Sequence, residues 1–174
     1  MQSEWMAGLL PIIGGTIAFG MGIDKATVRC IAHWNTPSSV SSFYQESGRA
    51  GRDCLPAKAR IYHSAKDSDL IESQLEKGLK ESKTDEDRKH RGSVIRSFRL
   101  MTKFCESSDC RHGMIAKYFG DSAPSCLNKC DACLDSVTVL ENVTKFHSEQ
   151  FEDNLEVGQV REEVLAIIRE KFCM

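Results

Sequence analysis

Two arginines three residues apart, Arg49 and Arg52, stand in the run Gln45-Glu46-Ser47-Gly48-Arg49-Ala50-Gly51-Arg52-Asp53. Small residues between them let the backbone approach a ligand, and a planar guanidinium matches phosphate oxygens in pairs. Both side chains can therefore reach one polyphosphate. In phosphoryl transfer, an arginine so placed stabilises charge on the transferring group, by roughly 10³ to 10⁵ in rate. A solvated charged turn has the same composition, so that reading stays open at this point.

A second set of residues carries metal chemistry. Cys126, Cys130 and Cys133 are spaced Cys-x3-Cys-x2-Cys, and Cys110 stands upstream at the head of a predicted helix. Four thiolates about 2.3 Å from one ion satisfy tetrahedral Zn²⁺. Such a site is closed, which makes its role structural. Gly120, Asp121, Ser122, Pro124 and Asn128 are turn-formers, as a loop folded round an ion requires. Four buried free thiols are the plainer alternative. Cys105 is the rival fourth ligand, but it falls on the apolar face of the preceding helix. Cys30, Cys54 and Cys173 have no partner pattern.

The elements that must position these groups alternate between strand and helix. Thr16 to Phe19 is a short apolar run that predicts a buried strand, closed by Gly20-Met21-Gly22. Val28 to Trp34 is a second strand, and Ala57 to His63 a third. Between the last two, Ser38 or Ser39 caps a helix carrying Val40, Phe43 and Tyr44. Strand, helix and strand in that order predict a parallel α/β sheet. Beyond Ser64, Asp67 to Leu79 reads as a helix and Glu81 to Arg88 as a charged hinge. Lys89 to Cys105 is an amphipathic helix with Val94, Phe98, Met101 and Cys105 on one face. Lys89, Arg96, Arg99 and Lys103 project from the other side, where they would track a DNA backbone or simply meet solvent. Arg111 to Phe119 is a shorter helix ending at Gly120. Acids dominate from Glu141 onward, and Val160, Val164, Ile167 and Ile168 suggest a last helix.

Composition narrows the class. The 174 residues are 41% hydrophobic and 28% charged with a net charge of −2, the profile of a globular chain whose bulk charge demands no nucleic acid. No run approaches the roughly 18 apolar residues of a membrane span. Glu4, with no basic residue before Lys25, is unlike a secretory signal. The expectation is an intracellular, soluble protein without a membrane partner, whose eight cysteines are reduced.

Three motifs together resemble a known family. Thr16-Ile17-Ala18-Phe19-Gly20-Met21-Gly22-Ile23-Asp24-Lys25 is similar to motif V of the RecQ helicases. Phe43 to Asp53 is similar to their motif VI. Cys110-Arg111-His112, Tyr118-Phe119-Gly120-Asp121 and the three later cysteines resemble their zinc-binding subdomain, most of all in the type-five branch. The resemblance runs from about Gln2 to Leu134. It implies an α/β fold with part of a RecA-like (P-loop NTPase) lobe and its parallel sheet at 1–65. An α-helical zinc-binding subdomain with four cysteine ligands would occupy 66–135, and an acidic helical tail 136–174.

The resemblance further implies an ATP-dependent enzyme that unwinds DNA 3′→5′ in repair, recombination or replication in the nucleus. Arg52 would be the arginine finger, and Arg49 would serve the phosphates or order the loop. Gln45, Gly22 and Asp24 would belong to the nucleotide-coupled motifs. Thr16 would face a DNA phosphate, and Cys110, Cys126, Cys130 and Cys133 would hold structural Zn²⁺. Partners would be single-stranded or forked DNA, and ATP with Mg²⁺ shared with a first lobe. The family's phosphate loop ends in Gly-Lys-Ser/Thr, and no Gly-Lys dipeptide occurs here. Asp85-Glu86-Asp87-Arg88 faintly echoes the Mg²⁺-binding acidic motif but reads as a linker. The expectation is therefore the C-terminal part of such an enzyme, inactive as an ATPase by itself. A non-catalytic DNA- or protein-binding zinc module is the alternative. In addition, Gly14-Gly15 replaces the family's strand-forming residues, and Cys54 replaces the glycine usual after Asp53.

Overall fold

Strand β1 (Cys30–His33) lies parallel to strand β2 (Lys58–Ile61), with Cys30 opposite Lys58 and His33 opposite Ile61. Helix α2 (Val40–Ser47) connects them; α1 is a short helix near the start, Gln2–Met6. This is the predicted strand–helix–strand unit. Parallel neighbours need such a crossover because the chain must return to the starting edge. Ser39 caps α2, accepting from the Ser42 amide at 3.0 Å. The computed structural model describes residues 1–16 and 24–148. Most of the predicted first strand, the terminal helix around Val160, and Cys173 lie outside the described residues.

Four helices follow β2: α3 (Ala65–Lys80), α4 (Asp85–Cys105), α5 (Arg111–Phe119) and the single turn α6 (Asp131–Leu134). Helix α7 (Ser136–Ser148) comes after them. The expected hinge over Glu81–Arg88 needs correction. Its second half is the first turn of α4, capped by Thr84, whose hydroxyl accepts from the Asp87 amide at 3.1 Å. Asp85, Glu86 and Asp87 sit at the positive end of the helix dipole, where acids stabilise. A run without apolar residues looks like a linker, yet these charges favour a helix start.

The chain divides into two units, Asp24–Lys145 and a smaller one formed by Met1–Ile23 with Phe146–Met174. In the smaller unit, the amino terminus pairs with Glu4 at 2.6 Å and Trp5 is buried. In the larger, Val40 and Phe43 of α2 meet Met101 and Phe104 of α4 in one core, flanked by Ile61, Met114 and Ile115. The Phe43 and Phe104 rings lie 5.5 Å apart. Met101 is fully enclosed, and burying a side chain of this size contributes about 1.5–3 kcal/mol. The two strands are exposed or half-buried along their length. Cohesion therefore comes from α2 on α4, so the sheet unit and the later helices share one frame. No helix of the described residues is long and apolar enough to cross a membrane.

Candidate functional site

Helix α2 ends at Gly48 and delivers the chain into the Arg49–Asp53 loop. Gly51 takes φ +68, and a Cβ there would stand 2.9 Å from the Leu55 carbonyl oxygen and 3.1 Å from the Ala57 Cβ. Only glycine fits that position without displacing backbone. Its amide donates to the Val28 carbonyl at 2.9 Å, stitching the loop to the segment entering β1. Arg52 is exposed and pairs with Asp24 at 2.5 Å; Asp24 itself is 81% exposed. Motifs V and VI thus meet through these two side chains. Arg49 is half-buried and Gln45 exposed on α2. Thr16 is exposed, and Gly22 lies outside the described residues.

The thiols converge as well. Cys126 Sγ lies 3.5 Å from Cys130 Sγ, which lies 4.0 Å from Cys110 Sγ. Sulfurs bound to one tetrahedral Zn²⁺ stand about 3.8 Å apart, so the spacing fits that ion. The donor atoms of Cys110, His112, Cys126 and Cys130 all fall within 4.8 Å of one another. Cys133, the remaining predicted ligand, is not one of that group of four; the neighbouring thiols of Cys110 and Cys130, with burial, push its thiol up to about 12. For Cys130, burial opposes ionisation. The amides of Arg111 and Cys133, with the thiols of Cys126 and Cys133, overcome that and bring it down to about 7. Cys105 stays outside this cluster, and burial raises its thiol to about 12.

Arg111 secures the frame around these donors. Its guanidinium bonds both Asp131 oxygens, at 2.9 and 3.1 Å, and donates to the Phe104 carbonyl at 2.7 Å. That joins the starts of α5 and α6 to the end of α4. Gly120, at φ +77, closes α5 in the left-handed conformation and turns the chain into the cysteine loop.

The proposed DNA-facing cations are not equivalent. Lys89, Arg96 and Lys103 are exposed on α4. Arg99 is also exposed, but it is gripped by two acids of α3, Glu72 at 2.6 Å and Glu76 at 2.7 Å. Their bonds and charges raise its pKa further. Sequence periodicity places these cations on one side of α4 but carries no information about which are already paired.

Two residues of the site have no role in the sequence reading, although His112 belongs to the quoted Cys110-Arg111-His112 run. His112 has its Nδ1 3.0 Å from Cys126 Sγ. The Cys-x-His spacing at Cys110 is the available signal. Arg29 reaches Asp53 with both carboxylate oxygens in range, at 2.6 and 2.7 Å. Its bond holds the Asp53 carboxyl below the usual carboxylate range. No local pattern marks this pair, because the residues are far apart in the chain.

Comparison with known proteins agrees with both halves of this geometry. Residues 3–54 match the helicase conserved C-terminal domain, and residues 65–134 match the RecQ zinc-binding domain. The ATP-dependent DNA helicase Q5 of Rattus norvegicus is 46% identical over 136 residues, covering 76% of this chain and 14% of that protein. Its Mus musculus counterpart is 43% identical over 146 residues, covering 82% and 15%. The ATP-dependent DNA helicase RecQ of Haemophilus influenzae is 37% identical over 135 residues, covering 78% and 21%. The chain thus spans a small part of the length of the curated relatives it matches. A helicase C-terminal domain running into a RecQ zinc-binding domain, with these relatives matched across both, places this chain in the RecQ helicase family.

Proposed function

We propose that this chain supplies the end of the second motor lobe and the zinc module of an ATP-dependent 3′→5′ DNA helicase. Its setting is DNA repair, recombination or replication in the nucleus, and its DNA partner is single-stranded or forked. The observation that carries this reading is the packed link between the helix that ends in the arginine loop and the helix that leads to the cysteines. Phe43 of α2, whose helix ends in the loop, packs on Phe104 of α4, whose end leads to Cys110.

In this reading Arg52 meets the phosphoryl group that leaves ATP, and Arg49 binds the neighbouring phosphates or orders the loop. Gln45, Gly22 and Asp24 couple the pocket to motif V, and Thr16 contacts a DNA phosphate. Mg²⁺ and the lysine of a phosphate loop are also required, and no Gly-Lys dipeptide lies among these residues. Catalysis therefore draws on groups outside this sequence.

Zn²⁺ would be held by Cys110, Cys126, Cys130 and Cys133, with His112 donating to the Cys126 sulfur. A nitrogen and a sulfur bound to the same zinc stand about 3.5 Å apart, whereas His112 and Cys126 are at 3.0 Å, a hydrogen-bond separation. The ion supplies cross-linking rather than reactivity, because four protein donors leave it no open position.

The test is a hybrid in which this chain replaces the matching stretch of the rat Q5 helicase. ATP hydrolysis stimulated by single-stranded DNA, with 3′→5′ unwinding, is expected. Arg52→Ala should lower kcat by roughly 10³ or more while zinc content is kept. A hybrid whose turnover survives that substitution refutes the assigned role. DNA binding with no hydrolysis in the unsubstituted hybrid would favour the non-catalytic zinc module instead.

A further inference from the structure

Arg52 sits between two residues that are tied down, and neither tie is its own. On one side Gly51 is bonded through its amide to the Val28 carbonyl. On the other, Asp53 accepts from the Arg29 guanidinium at both oxygens. The Nη2 that bonds Asp53 also reaches the Ala26 carbonyl at 2.9 Å, while Nη1 reaches the Pro56 carbonyl at 3.2 Å and Nε the Thr27 carbonyl at 3.3 Å. One side chain thus joins the stretch before β1, the arginine loop and the approach to β2. A guanidinium suits this work because its five N–H donors are held in a fixed plane. Lysine carries three donors on one flexible point and cannot bridge the same acceptors.

The two ion pairs of this corner differ in character. In the Arg29–Asp53 pair both side chains are largely sheltered, at 30% and 25% exposure. Arg52 and Asp24 are open, at 37% and 81%. The sheltered pair is reinforced by carbonyl acceptors, and the open pair can exchange Asp24 for another anion. The backbone is fixed by one pair while the guanidinium beside it stays available.

We propose that Arg29 is a positioning residue: by holding Asp53 it sets the direction in which Arg52 is presented to the phosphates of a nucleotide. This rests on the reading that Arg52 serves those phosphates. Arg29 does not itself touch the ligand. Loss of Arg29 leaves Arg52 charged and present but frees the backbone on its far side. The phosphate contact then needs ordering that the native loop already has, and a misplacement of about 1 Å can cost on the order of 10²-fold in a phosphoryl-transfer site.

The experiment titrates the full zinc-loaded chain with inorganic triphosphate at low ionic strength, following the Arg52 side-chain N–H by NMR. Wild type, Arg29→Ala, Arg29→Lys, Arg52→Ala and the Arg29→Ala/Arg52→Ala pair are compared, with zinc content and melting temperature recorded for each. Arg52→Ala should weaken binding several-fold. Arg29→Ala should weaken it nearly as much, the pair no more than Arg52→Ala alone, and Arg29→Lys should fall between wild type and Arg29→Ala. The Arg52 signal should shift with triphosphate in wild type and lose that response in Arg29→Ala. Binding by Arg29→Ala equal to wild type overturns the positioning role. So does a loss in the double variant equal to the two single losses combined, since Arg29 would then act independently. Arg52→Ala binding like wild type, or no binding by any form, instead overturns the phosphate-facing reading of the loop and the positioning role with it. If Arg29→Ala fails to fold, Arg29→Lys carries the comparison, and wild-type affinity in it counts against the proposal.

Discussion

His63, just past β2, is held on both ring nitrogens, with Thr36 Oγ1 at 2.8 Å from Nδ1 and Glu106 Oε1 at 3.1 Å from Nε2. Ser68 of α3 continues the chain, its hydroxyl 3.1 Å from that of Thr36. Four segments therefore meet on one imidazole: the turn after β1, the end of β2, the start of α3 and the end of α4. Thr36 and Ser68 are buried, so each hydroxyl depends on these partners. His63 stands between the segments that match the two family domains, and its bonds reach into the second.

Removing that hub should loosen the whole corner. His63→Ala takes one partner from the Thr36 hydroxyl, which keeps Ser68, and one from the partly exposed Glu106 carboxylate, and each lost hydrogen bond contributes about 0.5–1.5 kcal/mol. The melting temperature of the zinc-loaded chain should fall by several degrees while zinc content is unchanged. His63→Gln, which can still bond at one end, should lose less. A melting curve unmoved by His63→Ala would show that the imidazole merely fills space.

Zinc removal should have a larger and more local effect. The Cys110–Cys133 segment has few buried apolar residues, Ala116, Cys130 and Ala132 among those described. Its fold rests on the ion and on the Arg111–Asp131 clasp. Chelation should abolish hydrogen-exchange protection in α5 and α6 first, leaving the Phe43–Phe104 core folded. Cys130→Ser should eliminate stoichiometric zinc. His112→Ala should retain one zinc with roughly 10- to 100-fold weaker affinity, as expected for a residue that bonds a ligand rather than the metal. Complete loss of zinc in His112→Ala would make it a ligand and displace one of the four cysteines.

How far the sequence leads depends on whether the signal is local. Ser39 with Val40 and Phe43 marks α2, and the cysteine pattern points to the place where Cys110, Cys126 and Cys130 meet. Both are features of neighbouring residues. The start of α4 looks like a hinge because Asp85, Glu86 and Asp87 offer no apolar periodicity; their role as a charged first turn shows only once Thr84 is seen as its cap. Arg29 is invisible for a different reason. Its partner lies across a strand–helix–strand crossover, and only the fold sets it beside Asp53. The pairing of Arg99 with Glu72 and Glu76 is likewise a meeting of two helices that periodicity treats separately.

Cys54, where the family has glycine, adopts φ 64. A side chain in the left-handed region costs roughly 1–2 kcal/mol relative to glycine's freedom there. Cys54 is exposed, so its replacement gives up no packing. Cys54→Gly should therefore stabilise the chain by about 1 kcal/mol, part of the gain being offset by the greater entropy of glycine in the unfolded state. The denaturation midpoint reports it. Cys54→Ala is the control, since alanine keeps the Cβ that causes the strain and should gain nothing. Equal stabilisation by both would point to the thiol instead of the backbone.

The four cations of α4 should respond differently to DNA. Each phosphate that a variant no longer neutralises reduces the slope of log affinity against log salt by about 0.7 for a single strand. Neutralising Lys89, Arg96 and Lys103 together should flatten that slope by one such step for each cation that meets a phosphate. Binding should weaken more at low salt than at high. Arg99→Gln should leave both slope and affinity nearly unchanged, because its charge is already answered by Glu72 and Glu76. Its effect should fall on the junction of α3 with α4, seen as faster hydrogen exchange there. Glu72→Gln with Glu76→Gln supplies the converse: releasing Arg99 should steepen the salt dependence. If Arg99→Gln alone weakens DNA binding as much as the triple change, the acids of α3 do not withhold that guanidinium, and the α4 face acts as a single patch.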